Sequence, residues 1–417
     1  MSRGRTHRPA RIGPVAVLAL AGACATFGST PAAALVVTPA GSVTVTMLGI
    51  GHGHGMSQYG ARGAAMAGLT APQIVAFYYP GTTLTQRPDS RIRVQLSAVG
   101  PRLTVAPAAD LMVTGRADPL PTAGVSRYRL VAGTGDGLWL QRLPSAPGAA
   151  WTLVQAQLPS GASFHRSSGE PVRALPPDGS RRDYLGSLVA WRTTPSGSGD
   201  GVLTVNKVSM DDYTAGVVPE EVPTSWPRAA VNAQAIAART YGAYAVDHPR
   251  SRHYDICDTS WCQVYGGHAQ FDASGHLVWS AYPRAALATT NQVLEHQGAA
   301  IFAEFGSSDG GWTVDGGQPY LVSKQDPYDN AASGDPYLFY RKRFAVSSLA
   351  AYFGLASVTS VVISKRDGNG TWNGRVLAGY VQGTNSAGNP AKVTATGSDF
   401  AAALGLGTTW FNLRATA

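Results

Sequence analysis

Alternating apolar and polar positions mark the middle of the chain. Between residues 91 and 208, short runs such as Arg91-Ile-Arg-Val-Gln-Leu96 and Val202-Leu-Thr-Val205 are rich in β-branched residues, and clusters of Gly, Pro and Ser separate them. A period of two is typical of strands with one buried face. The pattern therefore predicts a β-rich region built of meanders or a small barrel. Residues 43–48 have the same strand composition.

Two stretches have a helical pattern. From Pro227 to Val246 alanine dominates, and only Arg228 and Arg239 are charged. A helix that is apolar nearly all round is buried, so this one is predicted to run through the core. A guanidinium inside it needs a carboxylate or carbonyl partner, which favours a structural ion pair over a role in positioning an active-site group. Residues 57–77 predict one or two short helices.

The segment Gly49-Ile-Gly-His-Gly-His-Gly55 fits neither pattern, because glycine at every second position disfavours both helix and ordinary strand. It predicts a loop whose shape is set by the backbone. Together these elements predict an α+β fold: a mixed, β-rich domain with a buried Ala-rich helix and a β-rich accessory region.

The first residues have the order of an export signal. Arg3, Arg5, Arg8 and Arg11 precede an apolar run from Ile12 to Phe27 and a small-residue segment that ends at Ala34. This order predicts a secretory signal at residues 1–34, with an uncleaved membrane anchor as the alternative. The expected location is therefore outside the cell, in the cell wall or on the outer side of the cytoplasmic membrane.

Charge adds little beyond this. Removing residues 1–34 removes four arginines and no acid, so the net charge falls from +8 to +4. The remainder suits weak attraction to an anionic wall polymer, and it lacks the concentrated Lys/Arg patch that nucleic-acid binding needs.

Two adjacent carboxylates are the first candidates for chemistry. Glu220 and Glu221 lie between apolar residues just before the predicted buried helix. Neighbours in an extended chain point to opposite sides, so one glutamate is expected to face inward. Desolvation would raise the pKa of that carboxyl and keep it protonated as a general acid, while the nearby helix N-terminus acts in the opposite direction. A surface pair beside a turn is the alternative.

The residues around this pair resemble a known family. Tyr213 to Tyr241 is similar to the signature of the stage II sporulation protein D family, the SpoIID/LytB domain, and the family's essential acid falls on Glu221. Further resemblances lie at residues 51–61, 78–82, 182–187, 262–267 and 307–313. The 51–61 motif usually follows a segment like Leu404–Phe411, so the order looks circularly permuted. We therefore expect strand 43–48 to lie beside a strand near 409–413.

The resemblance implies a peptidoglycan lytic transglycosylase acting on glycan strands, particularly peptide-stripped ones, with Glu221 as acid and then base. Together with the residue pattern, it predicts a signal at 1–34, a catalytic-domain segment at 35–90, a β-rich accessory region at 91–200 and the catalytic domain at 201–417. A cell-wall amidase is a further expected partner, because the LytB branch suggests a non-catalytic, glycan-binding enhancer as the rival function. The residues expected to bind substrate are His52, Gly53, Gln58, Gln263, Tyr265, Ser307, Ser308, Gly310, Gly311 and Thr313.

Cys257 and Cys262 leave three alternatives: a disulfide, a zinc site or free thiols. Four intervening residues permit a disulfide in an exported protein. Some relatives instead bind zinc here with two Cys and two His, but Trp261 stands where such a histidine is expected. Zinc would then need His253 together with His268 or His248, and a metal-dependent hydrolase would be a second rival function. The disulfide without a cofactor is the favoured prediction.

Overall fold

The computed structural model describes residues 34–36, 41–88, 90–133, 137–193 and 201–415. Apart from Ala34, the expected signal lies outside these residues and stays a prediction. None of the helices in these ranges is long and apolar enough to cross a membrane.

The elements before residue 90 confirm the predicted strand at 43–48 and the two short helices at 57–77. They are β1 (Ala34–Val36), β2 (Ser42–Met47), β3 (Met56–Ser57), α1 (Gln58–Met66), α2 (Ala71–Tyr78) and β4 (Thr83–Gln86).

Residues 91–209 are β-rich, as predicted. Their strands are β5 (Arg91–Gln95), β6 (Leu103–Val105), β7 (Leu111–Val113), β8 (Val125–Ala132), β9 (Leu138–Pro144), β10 (Thr152–Leu158), β11 (Ala162–Arg166), β12 (Val172–Ala174), β13 (Arg181–Tyr184), β14 (Ser187–Arg192) and β15 (Val202–Ser209).

The next part holds the predicted long helix, α4. Its elements are α3 (Met210–Glu221), α4 (Arg228–Asp247), β16 (Ile256–Cys257), β17 (Ala269–Phe271), β18 (Leu277–Ser280), α5 (Pro283–Ala288), β19 (Gln292–His296), β20 (Ala299–Ala300) and β21 (Phe305–Gly306). The last part, after a 3-10 turn at Ala331–Ser333, contains β22 (Tyr340–Ala345), α6 (Val346–Tyr352), β23 (Ser357–Arg366), β24 (Val376–Thr384), β25 (Pro390–Thr396), α7 (Gly397–Ala403) and β26 (Phe411–Ala415), with a second 3-10 turn at Thr371–Asn373.

These strands form several sheets, so the α+β, β-rich fold class is confirmed. The orders are β10-β9-β8-β6-β12-β13-β17-β18, β16-β5-β15-β14-β11-β7, β1-β23-β24-β25, β20-β19-β4, β22-β2-β26 and β21-β3. The two largest sheets share one core with α3 and α4, in which strand residues such as Ile92 and Phe164 meet Tyr213 and Ala238. The accessory region thus packs its apolar face against α3, which ends at Glu221, and against α4.

A second core joins the two ends of the described chain. In an antiparallel pair, Val43 of β2 lies opposite Ala415 and Met47 opposite Phe411, while β22 flanks the other side of β2. Apolar residues of β2, β22–β26, α6 and α7 meet there. The predicted pairing of strand 43–48 with the strand near 409–413 is confirmed. The glycine-rich loop leaves this core and leads into α1 and α2, which pack on α4 in a third cluster.

Candidate active site

Glu221 is the last residue of α3. The helix begins where the Ser209 side chain accepts a hydrogen bond from the Asp212 backbone N–H at 3.1 Å, and acidic residues fill its first turn. The expected extended chain at Glu220 and Glu221 is wrong, because the helix continues to Glu221. The backbone becomes extended only at Val222, which precedes a proline.

The helix continues past Pro219 because other segments bind backbone carbonyls of the preceding turn. Proline lacks the N–H that would bond to Ala215. The backbone N–H of Tyr282 takes that carbonyl at 2.9 Å, and the N–H of Gly266 donates to Gly216 at 3.0 Å. Tertiary contacts therefore hold the final turn in place and fix the position of Glu221.

Arg239 ties α4 to the start of α3. Its side chain is 1% exposed. Nη1 lies 2.5 Å from Asp211 Oδ1, and Nη2 donates to the Ala286 carbonyl at 2.8 Å. The predicted structural ion pair is confirmed, and the contact fixes the two helices that flank Glu221.

The Glu221 carboxyl is largely buried and has few polar neighbours. Gln58 Nε2 donates to Glu221 Oε2 at 3.3 Å, and the Val264 backbone N–H also binds the carboxylate. Burial raises the pKa of Glu221 to about 7, because desolvation outweighs these two hydrogen bonds; the Glu220 charge adds to the increase. Near neutral pH this group therefore holds a proton for part of the time.

Glu220 lies elsewhere, although it is adjacent in sequence. A side chain at Gly266 would clash with both the Glu220 carboxylate and the Trp279 ring, so Glu220 packs against this turn. Desolvation raises the pKa of Glu220, and the Arg182 charge partly opposes the rise. Glu220 is half-buried and makes no contact with Gln58 among those described.

The glycine-rich loop delivers Gln58 to this position. A Cβ at Gly55 would lie 2.0 Å from the Glu304 carbonyl oxygen, so only glycine fits there. Next, β3 pairs in parallel with β21, and Ser57 caps α1 by accepting a hydrogen bond from the Gly60 N–H at 3.0 Å. Gln58 is thus the first residue of a capped helix, with its side chain buried beside Glu221.

The segment 307–313 is held by a cluster of three buried aspartates, Asp309, Asp326 and Asp329, which we call the aspartate cluster. Asp329 Oδ2 accepts hydrogen bonds from the hydroxyls of Ser57 (3.0 Å) and Ser308 (2.9 Å) and from two backbone N–H groups in the segment. Burial, followed by the charges of its two partners, raises the pKa of Asp309 well above its ordinary value. The cluster pins the segment to the N-terminus of α1.

The residues expected to bind substrate do not all converge on Glu221. Gln58 contacts it directly, and Gln263 directly precedes Val264. Gln263 Oε1 accepts a hydrogen bond from the Tyr213 hydroxyl at 2.6 Å. Tyr265 is buried among aromatic rings, and its hydroxyl donates to Asn206 at 2.8 Å.

The predicted residues of the 307–313 segment make their contacts within the protein. The hydroxyls of Ser308 and Thr313 are buried and donate to protein acceptors, and the Ser307 carbonyl accepts from the Tyr59 N–H. Gly310 and Gly311 have positive φ angles. Their part in substrate binding stays a prediction.

His52 and His54 line a different hollow. Their rings are 4.8 Å apart, and His54 Nδ1 lies 3.3 Å from Glu304 Oε2. With Gly51, Asp315 and Arg375 among its walls, this cleft has a volume of about 910 Å³. Gly53 lies between the histidines, where a Cβ would meet Arg375. Glu221 is not among the residues lining this cleft.

Cys257 and Cys262 are joined by a disulfide, with their Cα atoms 5.6 Å apart. Neither sulfur is then a thiolate that could bind zinc. His253 stacks on Trp191, with ring centroids 4.3 Å apart. Within the described ranges, groups of three side chains with metal-ligand spacing are His52, His54 and Glu304, and the aspartate cluster. The alternative zinc set of Cys257, Cys262, His253 and His268 is not one of them.

The sequence did not predict an aromatic group next to Gln58. Tyr59, next to Gln58, packs on Trp226 with centroids 5.0 Å apart and on Tyr337 at 6.2 Å. Trp226 lies in the connection between Glu221 and α4, and Arg62 covers its ring. Both Tyr59 and Trp226 fall inside the family-like motifs, and an aromatic residue within a Gly-rich or Pro-rich motif was the signal that could have identified them.

Comparisons with known proteins agree with the resemblance. Residues 198–296 match the family model described as Stage II sporulation protein, SpoIID, and this range includes Glu221 and the disulfide loop. An uncharacterized protein of Brachyspira hyodysenteriae is 32% identical over 132 residues, 31% of this chain and 33% of that protein. The amidase enhancer of Bacillus subtilis is 34% identical over 121 residues, 27% of this chain and 15% of the enhancer.

Stage II sporulation protein D of Bacillus subtilis is 27% identical over 181 residues, 40% of this chain and 51% of that protein. Each match spans about half or less of the relative's own length. The recognition of a SpoIID domain is therefore confirmed for the part of the chain that carries Glu221.

Proposed function

Given that the chain carries a SpoIID-family domain, we propose that it is an exported cell-wall protein that cleaves peptidoglycan glycan strands as a lytic transglycosylase. The observation that carries this proposal is the environment of Glu221, where burial raises the carboxyl pKa to about 7. A general acid works best when its pKa is near the working pH, because it then both holds and releases its proton readily.

The reaction begins with protonated Glu221 donating to the glycosidic oxygen between N-acetylmuramic acid and N-acetylglucosamine. The bond from the muramic C1 to that oxygen breaks, and the N-acetylglucosamine side leaves with a free 4-hydroxyl. Gln58, which donates to Glu221 Oε2, and the Val264 N–H hold the carboxylate that is left. Positive charge develops at C1 as the bond breaks.

In the second half of the reaction the Glu221 carboxylate acts as a base. It takes the proton from the muramic 6-hydroxyl, and O6 attacks C1 to close a 1,6-anhydro ring. The carboxyl ends the cycle protonated, and no water is consumed. A single carboxyl suffices for both steps, whereas hydrolysing glycosidases use two that flank the bond. Glu220, which faces Gly266 and Trp279, needs no role in this scheme.

A non-catalytic function is the second candidate. The relative named amidase enhancer matches over 121 residues. In this case the chain would bind glycan strands and stimulate a cell-wall amidase, and Glu221 would not turn over substrate. Product analysis separates the two functions, because an enhancer alone leaves the glycan backbone intact.

The test is digestion of peptide-stripped glycan strands with mass spectrometry of the products. The wild-type chain should release fragments with 1,6-anhydromuramic ends. Glu221→Gln should reduce their formation by about a hundredfold or more, because the amide neither gives nor takes the proton. Glu220→Gln is the matched control and should keep most of the activity. Unchanged product release by Glu221→Gln, or hydrolysed reducing ends, would reject the proposal.

A further inference from the structure

One large side chain next to the site projects into solvent. Trp261 is 86% exposed, the highest value among the exposed large apolar residues of the described chain. Transfer of apolar surface from water is favourable, and tryptophan is enriched at interfaces, so this exposed indole is a candidate contact for a ligand.

The backbone beneath Trp261 is firmly held. The disulfide from Cys257 to Cys262 closes the loop, and the Cys262 N–H donates to the Thr259 carbonyl at 2.9 Å. Arg250 Nη2 donates to the Trp261 carbonyl at 3.3 Å. The indole is therefore presented from a fixed backbone, and a ligand that packs on it has to order only the side chain.

The same loop reaches Glu221. Three residues after Trp261, the Val264 N–H binds the Glu221 carboxylate. Consecutive residues span at most about 3.6 Å each, so the Cα atoms of Trp261 and Val264 are at most about 11 Å apart. A polymer lying across Glu221 thus passes within reach of the indole.

We propose that Trp261 is a glycan-binding residue, on which a pyranose ring of the strand packs its C–H face next to the sugars at Glu221. This inference rests on the proposed function, because it takes the glycan strand as the ligand. Sugar rings offer a weakly polar face of C–H groups, and a flat indole is complementary to it. Trp261 binds and positions the strand and takes no part in proton transfer.

The experiment measures binding without turnover. In the full-length chain carrying Glu221→Gln, the Kd for purified peptide-stripped glycan strands is compared with and without Trp261→Ala. We expect Trp261→Ala to weaken binding about tenfold, and Trp261→Phe to retain most of the affinity, since an aromatic ring is kept. Leu287→Ala is the matched control, because Leu287 is an apolar side chain 65% exposed on α5. It should leave the Kd unchanged.

The outcomes separate this inference from the proposed function. If the Glu221→Gln chain binds glycan and Trp261→Ala binds equally well, the role of Trp261 is rejected alone, and a protein-binding role for the indole gains weight. If the parent chain does not bind glycan, both proposals fall. If binding depends on Trp261 but the wild-type chain does not cleave, the inference stands and the transglycosylase proposal fails. Thermal unfolding of each variant checks that the fold is retained.

Discussion

Glu221 and the aspartate cluster are two sites with buried carboxyl groups, and both contact the start of α1: Glu221 through Gln58, and Asp329 through Ser57. Burial raises the pKa of Glu221 at one site and of Asp309 and Asp329 at the other, and desolvation is the first cause for all three. Their hydrogen bonding differs. Glu221 receives one side-chain amide and one backbone N–H, whereas Asp329 Oδ2 alone accepts from two hydroxyls and two backbone N–H groups.

The number of hydrogen bonds distinguishes Asp329, which holds structure, from Glu221, whose protonation can change at little cost. In the aspartate cluster, polar groups of the segment and of α1 depend on the carboxylates, so losing one leaves buried donors without partners. Glu221 can change protonation while only Gln58 and Val264 adjust. A raised pKa alone therefore does not distinguish the carboxyl group proposed to react from carboxyl groups that hold structure; the number of groups hydrogen-bonded to each distinguishes them.

The largest effect on stability is expected in the aspartate cluster. Asp329→Ala leaves several buried donors without an acceptor and should lower the free energy of unfolding by about 3–5 kcal/mol. Asp329→Asn keeps an acceptor oxygen and should cost less. Denaturant unfolding at pH 7 measures both changes, with the exposed Asp118→Ala as the control. A wild-type midpoint for Asp329→Ala would show that the cluster does not hold the segment.

Replacing Glu221 should change the free energy of unfolding in the opposite direction and stabilise the fold at high pH. The pKa of Glu221 rises from 4.5 in the unfolded chain to about 7 in the folded one, so the folded state binds more protons between these values and loses stability as pH rises through them. Glu221→Gln removes this penalty. At pH 8 the variant should be more stable than the wild type by about 2–3 kcal/mol, relative to the difference at pH 4.

Unfolding curves at a series of pH values measure this difference. If the stability difference between Glu221→Gln and the wild type stays constant from pH 4 to 8, Glu221 has the pKa of an ordinary surface carboxyl group. The comparison with the aspartate cluster would then be wrong.

The smallest expected effect concerns Gln58. Cleavage activity should fall as pH rises above about 7, because the general acid loses its proton. The Gln58 hydrogen bond lowers the pKa of Glu221, so Gln58→Ala should move the midpoint of this decline upward by less than about one unit. The exposed Gln318→Ala is the control. A shift to lower pH would mean that Gln58 does not stabilise the carboxylate.

Much of the fold followed from local pattern. The buried helix α4 was predicted from its alanine content, and the partner of Arg239 from the cost of burying a charge. The pairing of β2 with β26 was predicted from the order of the motifs. The 51–61 motif usually follows a segment like Leu404–Phe411, and two segments that are joined in relatives stay neighbours in space when the chain order changes.

The features that could not be predicted from the sequence depend on contacts between residues far apart in the chain. The end of α3 was predicted as extended chain, since nothing local reveals that Tyr282 binds the Ala215 carbonyl freed by Pro219 and that Gly266 binds the next carbonyl. The aspartate cluster was missed for the same reason, because Ser57 and Asp329 are 272 residues apart. Short motifs contained both Glu221 and Gln58, which lie in contact, but they did not reveal which hydroxyls of the 307–313 segment form hydrogen bonds within the protein.

The position of β2 between β22 and β26 has a consequence for biosynthesis. β2 is synthesised long before either of its neighbours, since Val43 pairs with Phe344 of β22 on one side and with Ala415 of β26 on the other. Until β22 has been synthesised, both edges of β2 offer open backbone groups to other chains. The sheet closes only after β26 has been synthesised, and closing the long loop between β2 and β26 slows folding. Chains cut short before β26 should accumulate as aggregates.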